Sequence, residues 1–188
     1  FVPLLIDTLT RPDLLQFYLA DSGATVAVAD AEFCSRFDAL ACRDTRLHTL
    51  IVVNGEAGDH GVTSAISAEN WLPAFPAELA EAGTGRNEMA FWMYSSGSTG
   101  RPKGIVHLQH DMAYSEAAFA RNVLKLVPDD ICFSVPKLFF AYGFGNTSLV
   151  DWWFGPDYTG SVLTSDGPEA RRIRRQYFSS DEGRITMA

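Results

Sequence analysis

The stretch from Met89 to Gly104 reads MAFWMYSSGSTGRPKG and does most to decide which fold this chain adopts. Its first five residues are apolar and predict a buried strand, and the rest is a run of glycines, hydroxyls and one lysine. Glycines let the backbone approach an anion closely, hydroxyls add hydrogen-bond donors, and Lys103 adds a positive charge. The pattern predicts a strand that ends in a phosphate-binding loop, in preference to a plain flexible linker.

Two common nucleotide-binding motifs do not fit this loop. The P-loop needs a glycine, four residues, and then Gly-Lys-Ser/Thr, whereas Lys103 here precedes a glycine. The dinucleotide fingerprint Gly-x-Gly-x-x-Gly is also absent from the segment. The loop therefore indicates a different class of phosphate site.

Strand-like and helix-like runs alternate on both sides of the loop. This alternation predicts an α/β fold with a largely parallel sheet flanked by helices. The interval 71–81 gives no clear pattern, and 138–153 is apolar, interrupted by glycine and expected to be partly helical. The predicted strands are 1–6, 24–29, 49–53, 88–94 and 131–135, and the predicted helices are 12–21, 31–42 and 110–126.

Composition excludes several classes of protein. The chain has 188 residues, of which 47% are hydrophobic, and a net charge of −8, so we expect one packed core and no nucleic-acid partner. Cys34, Cys42 and Cys132 have no metal-ligand spacing and are expected to be reduced thiols of a cytoplasmic protein. No apolar run reaches the roughly 18 residues that a membrane span needs. Because the chain begins at Phe1 without a basic leader, we expect the middle of a longer polypeptide.

At Tyr94–Gly104 the sequence resembles the signature of the adenylate-forming family, the AMP-dependent synthetases and ligases. That signature runs aromatic, Ser/Thr, Ser-Gly-Ser-Thr-Gly, any residue, Pro-Lys-Gly, and every position conforms. The resemblance covers roughly residues 1–150, which we expect to form part of the family's N-terminal adenylation domain. Residues 151–188 diverge, and we expect them to be a tail of separate character.

The arginine-rich segment Arg171–Arg175 lies in this tail and has three interpretations. It could be a solvated helix face, a basic patch for an anionic partner, or a product of truncation or a shifted reading frame. The family's apolar strand and Gly-Ala pair are not found in this region, so no functional residue is predicted beyond residue 150.

A second informative segment is Lys137–Gly143, which reads KLFFAYG. From composition alone it could be an ordinary buried element or the lining of a flat apolar slot. It is similar to the acyl-binding motif of the family's benzoate-type CoA ligases, and Val106–Leu108 also resembles the sequence of that branch. Phe140 stands at the gate position, where many relatives have histidine. The resemblance implies a planar aromatic acid as the substrate.

The resemblance implies a two-step ligase that uses ATP and coenzyme A. The carboxylate attacks the α-phosphorus to give acyl-AMP and pyrophosphate, and the CoA thiolate then displaces AMP. Lys103 and Thr99 are the implied catalytic residues. The implied nucleotide-binding residues are Ser95, Ser96, Gly97, Ser98, Thr99, Gly100, Lys103 and Gly104, and the implied substrate-binding residues are Phe140, Ala141, Tyr142 and Gly143.

Some of the family's parts are absent from this sequence. A Thr-Glu pair for Mg²⁺, an Asp for ribose and a C-terminal domain with a catalytic Lys would lie further along, so we expect the Mg²⁺ ligands outside this chain and no activity from the chain alone. A non-catalytic nucleotide-binding fragment is the main alternative. A peptide-synthetase domain is disfavoured because no Asp for an α-amino group lies in 139–145.

The histidine pair His107 and His110 has a spacing that could ligate a metal. Two candidate ligands without a following carboxylate array do not make a site, so no metal is predicted. We expect His107 to pack beside the loop and His110 to begin the following helix.

Overall fold

The computed structural model describes residues 1–39, 41–95, 100–127, 131–134, 139–145 and 161–164, with backbone alone for 131–134 and 161–164. The chain divides into two units, the parallel unit (Thr8–Ala82) and the hairpin unit (Phe1–Asp7 with Gly83–Ala188). Among the described strands, every pairing but one is parallel, so the predicted α/β class with mostly parallel pairing is confirmed. The pairing is spread over three small sheets instead of one.

The elements of the described residues follow in chain order. The α-helices are α1 (Pro12–Ser22), α2 (Ala68–Trp71) and α3 (Asp111–Ser115). The strands are β1 (Leu4–Leu5), β2 (Val26–Asp30), β3 (Thr49–Val53), β4 (Ser64–Ser67), β5 (Met89–Ser95), β6 (Lys103–Leu108), β7 (Ile131–Ser134) and β8 (Ser161–Thr164).

Helix α1 shows the start and stop signals that the sequence carries. Pro12 occupies the first turn, where its missing N–H removes no hydrogen bond. Leu15 and Leu19 are four residues apart and are both buried. Gly23 ends the helix with φ at 64°, a left-handed conformation that glycine adopts without a Cβ clash. The helix predicted at 12–21 is confirmed.

The parallel unit contains a three-stranded sheet in the order β2-β3-β4. In its register Val28 lies beside Ile51, and Ile51 beside Ile66. Leu50 and Val52 point to the opposite face and are 0% exposed, because successive side chains of a strand alternate between faces. The strand predicted at 49–53 is confirmed residue for residue. β4 was not predicted, and the uncertain interval 71–81 begins with the end of α2 and a 3₁₀ turn at Leu72–Ala74.

The helix predicted at 31–42 is wrong beyond its first half. A 3₁₀ helix occupies Ala31–Arg36, and the chain then turns at Phe37. The carbonyl of Phe37 accepts the N–H of Gly61 at 2.7 Å, and the N–H of Ala41 donates to the Asp38 side chain at 2.8 Å. A helix would have joined Phe37 and Ala41 through those two groups, so contacts from distant sequence override the local pattern.

In the hairpin unit the sheet order is β1-β5-β6. β1 lies parallel to β5, with Leu4 beside Trp92, and β6 lies antiparallel to β5. The strand predicted at 88–94 is confirmed as β5, whereas β6 was not predicted. The signature segment thus spans the end of one strand, a connection and the start of the next, rather than a loop alone.

The helix predicted at 110–126 is confirmed, with a change in its winding. After α3 the chain continues as a π-helix over Glu116–Leu124, and Lys125 ends it with φ at 56°. Met112 and Ala120 are buried and join Phe91 and Met93 in one core cluster. The helix therefore packs on the face of β5 that carries Phe91 and Met93.

The strand predicted at 131–135 is confirmed as β7, which pairs in parallel with β8. β8 lies in the tail for which no structure was predicted. Residues 141–145 form a short helical turn, which agrees with the partly helical prediction for that region. The remainder of 138–153 that was predicted partly helical, and the arginine-rich segment, lie outside the described residues.

Candidate functional site

The candidate site begins at the open end of the β5–β6 hairpin. Ser95 and Lys103 are paired across the two strands, and both are exposed. Directly opposed residues of an antiparallel pair share one face of the sheet, so the hydroxyl and the ammonium project on the same side. The hairpin thus brings these two predicted residues together. Four other predicted residues, Ser96, Gly97, Ser98 and Thr99, lie outside the described residues.

The charge of Lys103 is free to meet an anion. In the described ranges no carboxylate forms an ion pair with Lys103, while Arg11, Arg43 and Arg121 each have an acidic neighbour. A hydrogen bond from an ammonium to a phosphate oxygen is charge-assisted and is roughly twice as strong as a bond between neutral groups. Lys103 belongs to β6 rather than to a mobile loop, so the strand pairing fixes the position of its backbone.

The two described glycines of the signature have different structural roles. Gly100 has φ at +88°, and a Cβ there would meet nothing within 4 Å, so backbone conformation alone requires glycine. Gly104 lies opposite Tyr94 in the ladder. A Cβ on Gly104 would lie 3.4 Å from the Tyr94 ring and 3.6 Å from Trp92, so this glycine makes room for two aromatic rings. Its predicted contact with nucleotide stays a prediction.

The base of the hairpin is fixed by the core. Phe91 and Met93 are 7% and 4% exposed and lie on the same face of β5 as Ser95. Burying each of these side chains contributes roughly 1.5–3 kcal/mol. The polar end of the hairpin therefore extends from a base that the hydrophobic core holds in place.

His110 lies directly before α3, as expected, whereas His107, which was expected to pack beside the loop, is a residue of β6 itself. The ring of His107 stacks on Phe91 at 4.6 Å between centroids, with 17° between the planes. His110 immediately precedes α3, and its Nδ1 lies 2.8 Å from the carbonyl oxygen of Arg86. The described residues contain no group of three metal-binding side chains.

Asp111 holds this corner together and was not predicted. Its Oδ2 accepts the N–H of Leu108 at 3.0 Å and lies 3.2 Å from Nδ1 of His107. The backbone hydrogen bond from Leu108, followed by the His107 contact and the nearby His110, lowers the pKa of the Asp111 carboxyl. A His-x-x-x-Asp spacing where a strand passes into a helix was the available sequence signal.

The predicted acyl segment forms the turn at 139–145. Phe140 and Tyr142 are 52% and 57% exposed, Ala141 is exposed and Gly143 is buried. The N–H of Phe144 donates to the carbonyl of Phe140 at 2.8 Å and closes the turn. The turn thus gathers the four predicted substrate residues and presents two aromatic rings to solvent.

Phe144 anchors this turn and was also not predicted. Its ring lies 4.8 Å from that of Phe91, and it packs against the core cluster of the hairpin unit. An aromatic residue four positions after Phe140, on the same side of a helical turn, was the signal for an anchor.

The family model described as AMP-binding enzyme matches residues 1–150. The chain belongs to the AMP-binding enzyme family. The matched range includes both the hairpin that carries Ser95 and Lys103 and the turn that carries Phe140 and Tyr142.

Several relatives of this chain are named as enzymes that act on aromatic acids. The benzoate–CoA ligase of Thauera aromatica is 36% identical over 145 residues, which are 77% of this chain and 26% of that ligase. The 4-hydroxybenzoate–CoA/benzoate–CoA ligase of Rhodopseudomonas palustris is 34% identical over 172 residues, 92% of this chain and 30% of the relative. The chain therefore spans less than a third of the length of these two ligases.

A solved structure shows the same fold. The anthranilate CoA ligase in complex with anthranoyl-AMP matches with a TM-score of 0.73 at 29% identity, over 87% of this chain and 30% of that one. The described part of the chain contains no helix with the length and apolar character that crossing a membrane requires.

Proposed function

We propose that the longer enzyme to which this chain belongs activates an aromatic carboxylic acid of the benzoate type. In the first step a carboxylate oxygen attacks the α-phosphorus of ATP, an acyl–O–P bond forms, and the bond to pyrophosphate breaks. In the second step the thiolate of coenzyme A attacks the acyl carbon, a thioester forms, and AMP leaves with the electron pair of the broken C–O bond. The products are acyl-CoA, AMP and pyrophosphate.

The hairpin supports the first step. Negative charge accumulates on the β- and γ-phosphates as pyrophosphate leaves, and a donor already in place stabilises that charge without reorganisation. Lys103 is exposed, lies opposite Ser95 and has no carboxylate partner among the described residues. We assign Lys103 to the departing phosphates, and assign the neighbouring Ser96–Thr99 run to the same anion.

The exposed rings of Phe140 and Tyr142 are the observation that supports the proposed substrate class. Large apolar rings normally lie inside a protein, yet Phe140 and Tyr142 are each more than half exposed on a turn anchored by Phe144. A planar ring that packs against them gains contact area and ring stacking worth about 0.5–1.5 kcal/mol. Benzoate-type relatives at 36% and 34% identity point to the same class of acid.

Magnesium is the usual companion of ATP in such reactions. No group of three carboxylate, histidine or cysteine side chains converges in the described residues. The Mg²⁺ ligands stay an expectation for a part of the enzyme outside this chain.

Benzoate-dependent exchange of labelled pyrophosphate into ATP tests the first step, and benzoyl-CoA formation tests the second. We expect both activities in the complete enzyme, with benzoate and a hydroxybenzoate preferred over hexanoate in kcat/KM. A preference for hexanoate would reject the aromatic substrate class. Absence of exchange with every acid, while ATP still binds, would favour the nucleotide-binding fragment as the function.

The 188-residue chain assayed by itself should form no acyl-CoA, because it spans less than a third of its ligase relatives. Benzoyl-CoA above a control without protein would show that the parts needed for ligation are all within these residues.

A further inference from the structure

Three aromatic rings connect the β5–β6 hairpin to the acyl segment, which is the turn at residues 139–145. His107 of β6 stacks on Phe91 of β5 at 4.6 Å, and the same Phe91 ring lies 4.8 Å from Phe144. Phe91 is 7% exposed, so its ring is fixed by its surroundings on all sides. A displacement of the His107 ring or of the Phe144 ring would therefore affect the position of the other, because both contact the closely packed Phe91.

The His107 end of this row is held by charge and hydrogen bonding. An ionised carboxylate only accepts hydrogen bonds, so Nδ1 of His107 carries the hydrogen in its 3.2 Å contact with Asp111. The other contacts of Asp111, with the Leu108 N–H and with His110, fix the carboxylate itself. The plane of the His107 ring is thus set from two directions, by Asp111 in the ring plane and by Phe91 at its face.

The Phe144 end holds the acyl segment. The N–H of Phe144 donates to the carbonyl of Phe140, so the position of the Phe144 ring and the position of the gate residue are joined by one helical turn. Phe140 and Tyr142 bury too little of their own surface to fix that turn. Packing of Phe144 on Phe91 is a contact that can do so.

We propose that His107, Phe91 and Phe144 form an aromatic bridge that sets the position of the acyl segment relative to the strand carrying Lys103. The proposal rests on the proposed function and adds His107 and Phe144 to it as positioning residues, neither of which touches the reacting atoms. Its consequence is that altering the His107 ring of β6 changes how the enzyme uses the aromatic acid, although the acyl segment lies more than 30 residues later in the sequence.

Amide hydrogen exchange tests the bridge directly. His107→Leu removes the ring, and His107→Phe keeps a ring to stack on Phe91 while Asp111 retains Leu108 and His110. We expect exchange of the 139–145 peptide to become about three- to tenfold faster in His107→Leu, the size of one aromatic pair contact, and to stay close to wild type in His107→Phe. Tyr114→Leu is the control, since this aromatic of α3 is 74% exposed. Unchanged exchange in His107→Leu, or equal acceleration in Tyr114→Leu, would overturn the bridge.

Pyrophosphate exchange in the complete enzyme supplies the second readout. His107→Leu and Phe144→Leu should each lower kcat/KM for benzoate about three- to tenfold and change KM for ATP by less than about twofold. The double variant should lose no more kcat/KM for benzoate than the more impaired of the two single variants, because both changes break the same bridge. Fully additive losses would contradict it. If wild type shows no benzoate-dependent exchange, the proposed function fails, while the hydrogen-exchange result still decides the bridge.

Discussion

The two units of the molecule each gather polar side chains at strand ends, but with opposite results. In the parallel unit Asn54 donates to Asp30 at 2.6 Å and to Glu69 at 2.7 Å, and Ser67 donates to Glu69 at 3.2 Å. These groups satisfy one another. In the hairpin unit Ser95 and Lys103 face solvent side by side, without an acidic partner for the lysine in the described residues. Polar groups that are already paired stabilise a fold, whereas unpaired ones are available to a ligand.

The network of the parallel unit also lowers the pKa of two of its carboxylates. The hydrogen bond from Asn54 comes first among the causes that lower the pKa of Asp30, and the backbone N–H of Asn54 does the same for Glu69. Both effects are internal to the network. Substitutions in the network and at the hairpin end can show whether the network is structural and the hairpin end functional.

Replacing Lys103 with alanine should have the largest effect on activity. Removing one preorganised charge-stabilising donor lowers kcat by about 10²–10³-fold in enzymes of known mechanism. We expect a loss of that size in pyrophosphate exchange by the complete enzyme, with little change in its urea midpoint. Arg101→Ala is the matched control, because Arg101 is exposed in the same connection and occupies the variable position of the signature. An equal loss in both variants would mean that general positive charge matters, not Lys103.

Ala141→Leu tests the acyl segment. If a ring lies against Phe140 and Tyr142, the larger side chain overpacks the space beside it, at about 1–3 kcal/mol. KM for benzoate should rise accordingly, while KM for ATP stays nearly constant. Ala118→Leu, on an exposed position of the π-helix, serves as the control. If Ala141→Leu changed only KM for ATP, this turn would be an ordinary surface element and not part of the acid-binding site.

Gly100→Ala should weaken the hairpin end through its backbone. The φ of +88° at Gly100 costs a residue with a Cβ about 1–2 kcal/mol. We expect a lower affinity for ATP, measured by calorimetry, of roughly that size. Gly104→Ala provides a comparison, because no positive φ is involved and the added methyl meets only the Tyr94 and Trp92 rings. Wild-type affinity in Gly100→Ala would show that the left-handed turn is not needed for binding.

Acid should weaken the network of the parallel unit. The pKa of Asp30 is lower in the folded than in the unfolded state, so its stabilising effect is complete above the unfolded pKa of about 4 and is lost as pH falls through the lower folded value. Urea midpoints of wild type and Asp30→Asn should therefore differ at neutral pH and converge in acid. Asp59→Asn, an exposed aspartate of the same unit, is the control. A difference that persists unchanged into acid would argue against an ionised Asp30 in the network.

The helices and strands that are determined by their own residues could be predicted from the sequence. Pro12 and Gly23 mark both ends of α1, and the apolar run at 49–53 gives β3. The helix expected after Arg36 failed because Gly61, distant in sequence, takes the carbonyl of Phe37. β6 was missed for a similar reason, since it forms by pairing with β5 rather than from its own propensity.

The candidate site divides in the same way. Lys103, Phe140 and Tyr142 were identified from their residue types and their resemblance to a family motif, and the structure shows each of them exposed. Asp111 and Phe144 could not be found by that route, because their roles depend on contacts with β6 and Phe91. Residues that meet a ligand carry a sequence pattern, while residues that hold them in place are defined by packing.

The most direct measurement compares Lys103→Ala with Glu69→Ala in one assay of benzoate-dependent pyrophosphate exchange, with the urea midpoint of each variant measured alongside. We predict that Lys103→Ala loses about 10²–10³-fold in exchange rate and keeps its midpoint. Glu69→Ala should show a lower midpoint and a wild-type exchange rate per folded molecule, because it breaks only the network of the parallel unit. Wild-type exchange in Lys103→Ala, or loss of exchange in folded Glu69→Ala, would contradict the division of roles between the two units.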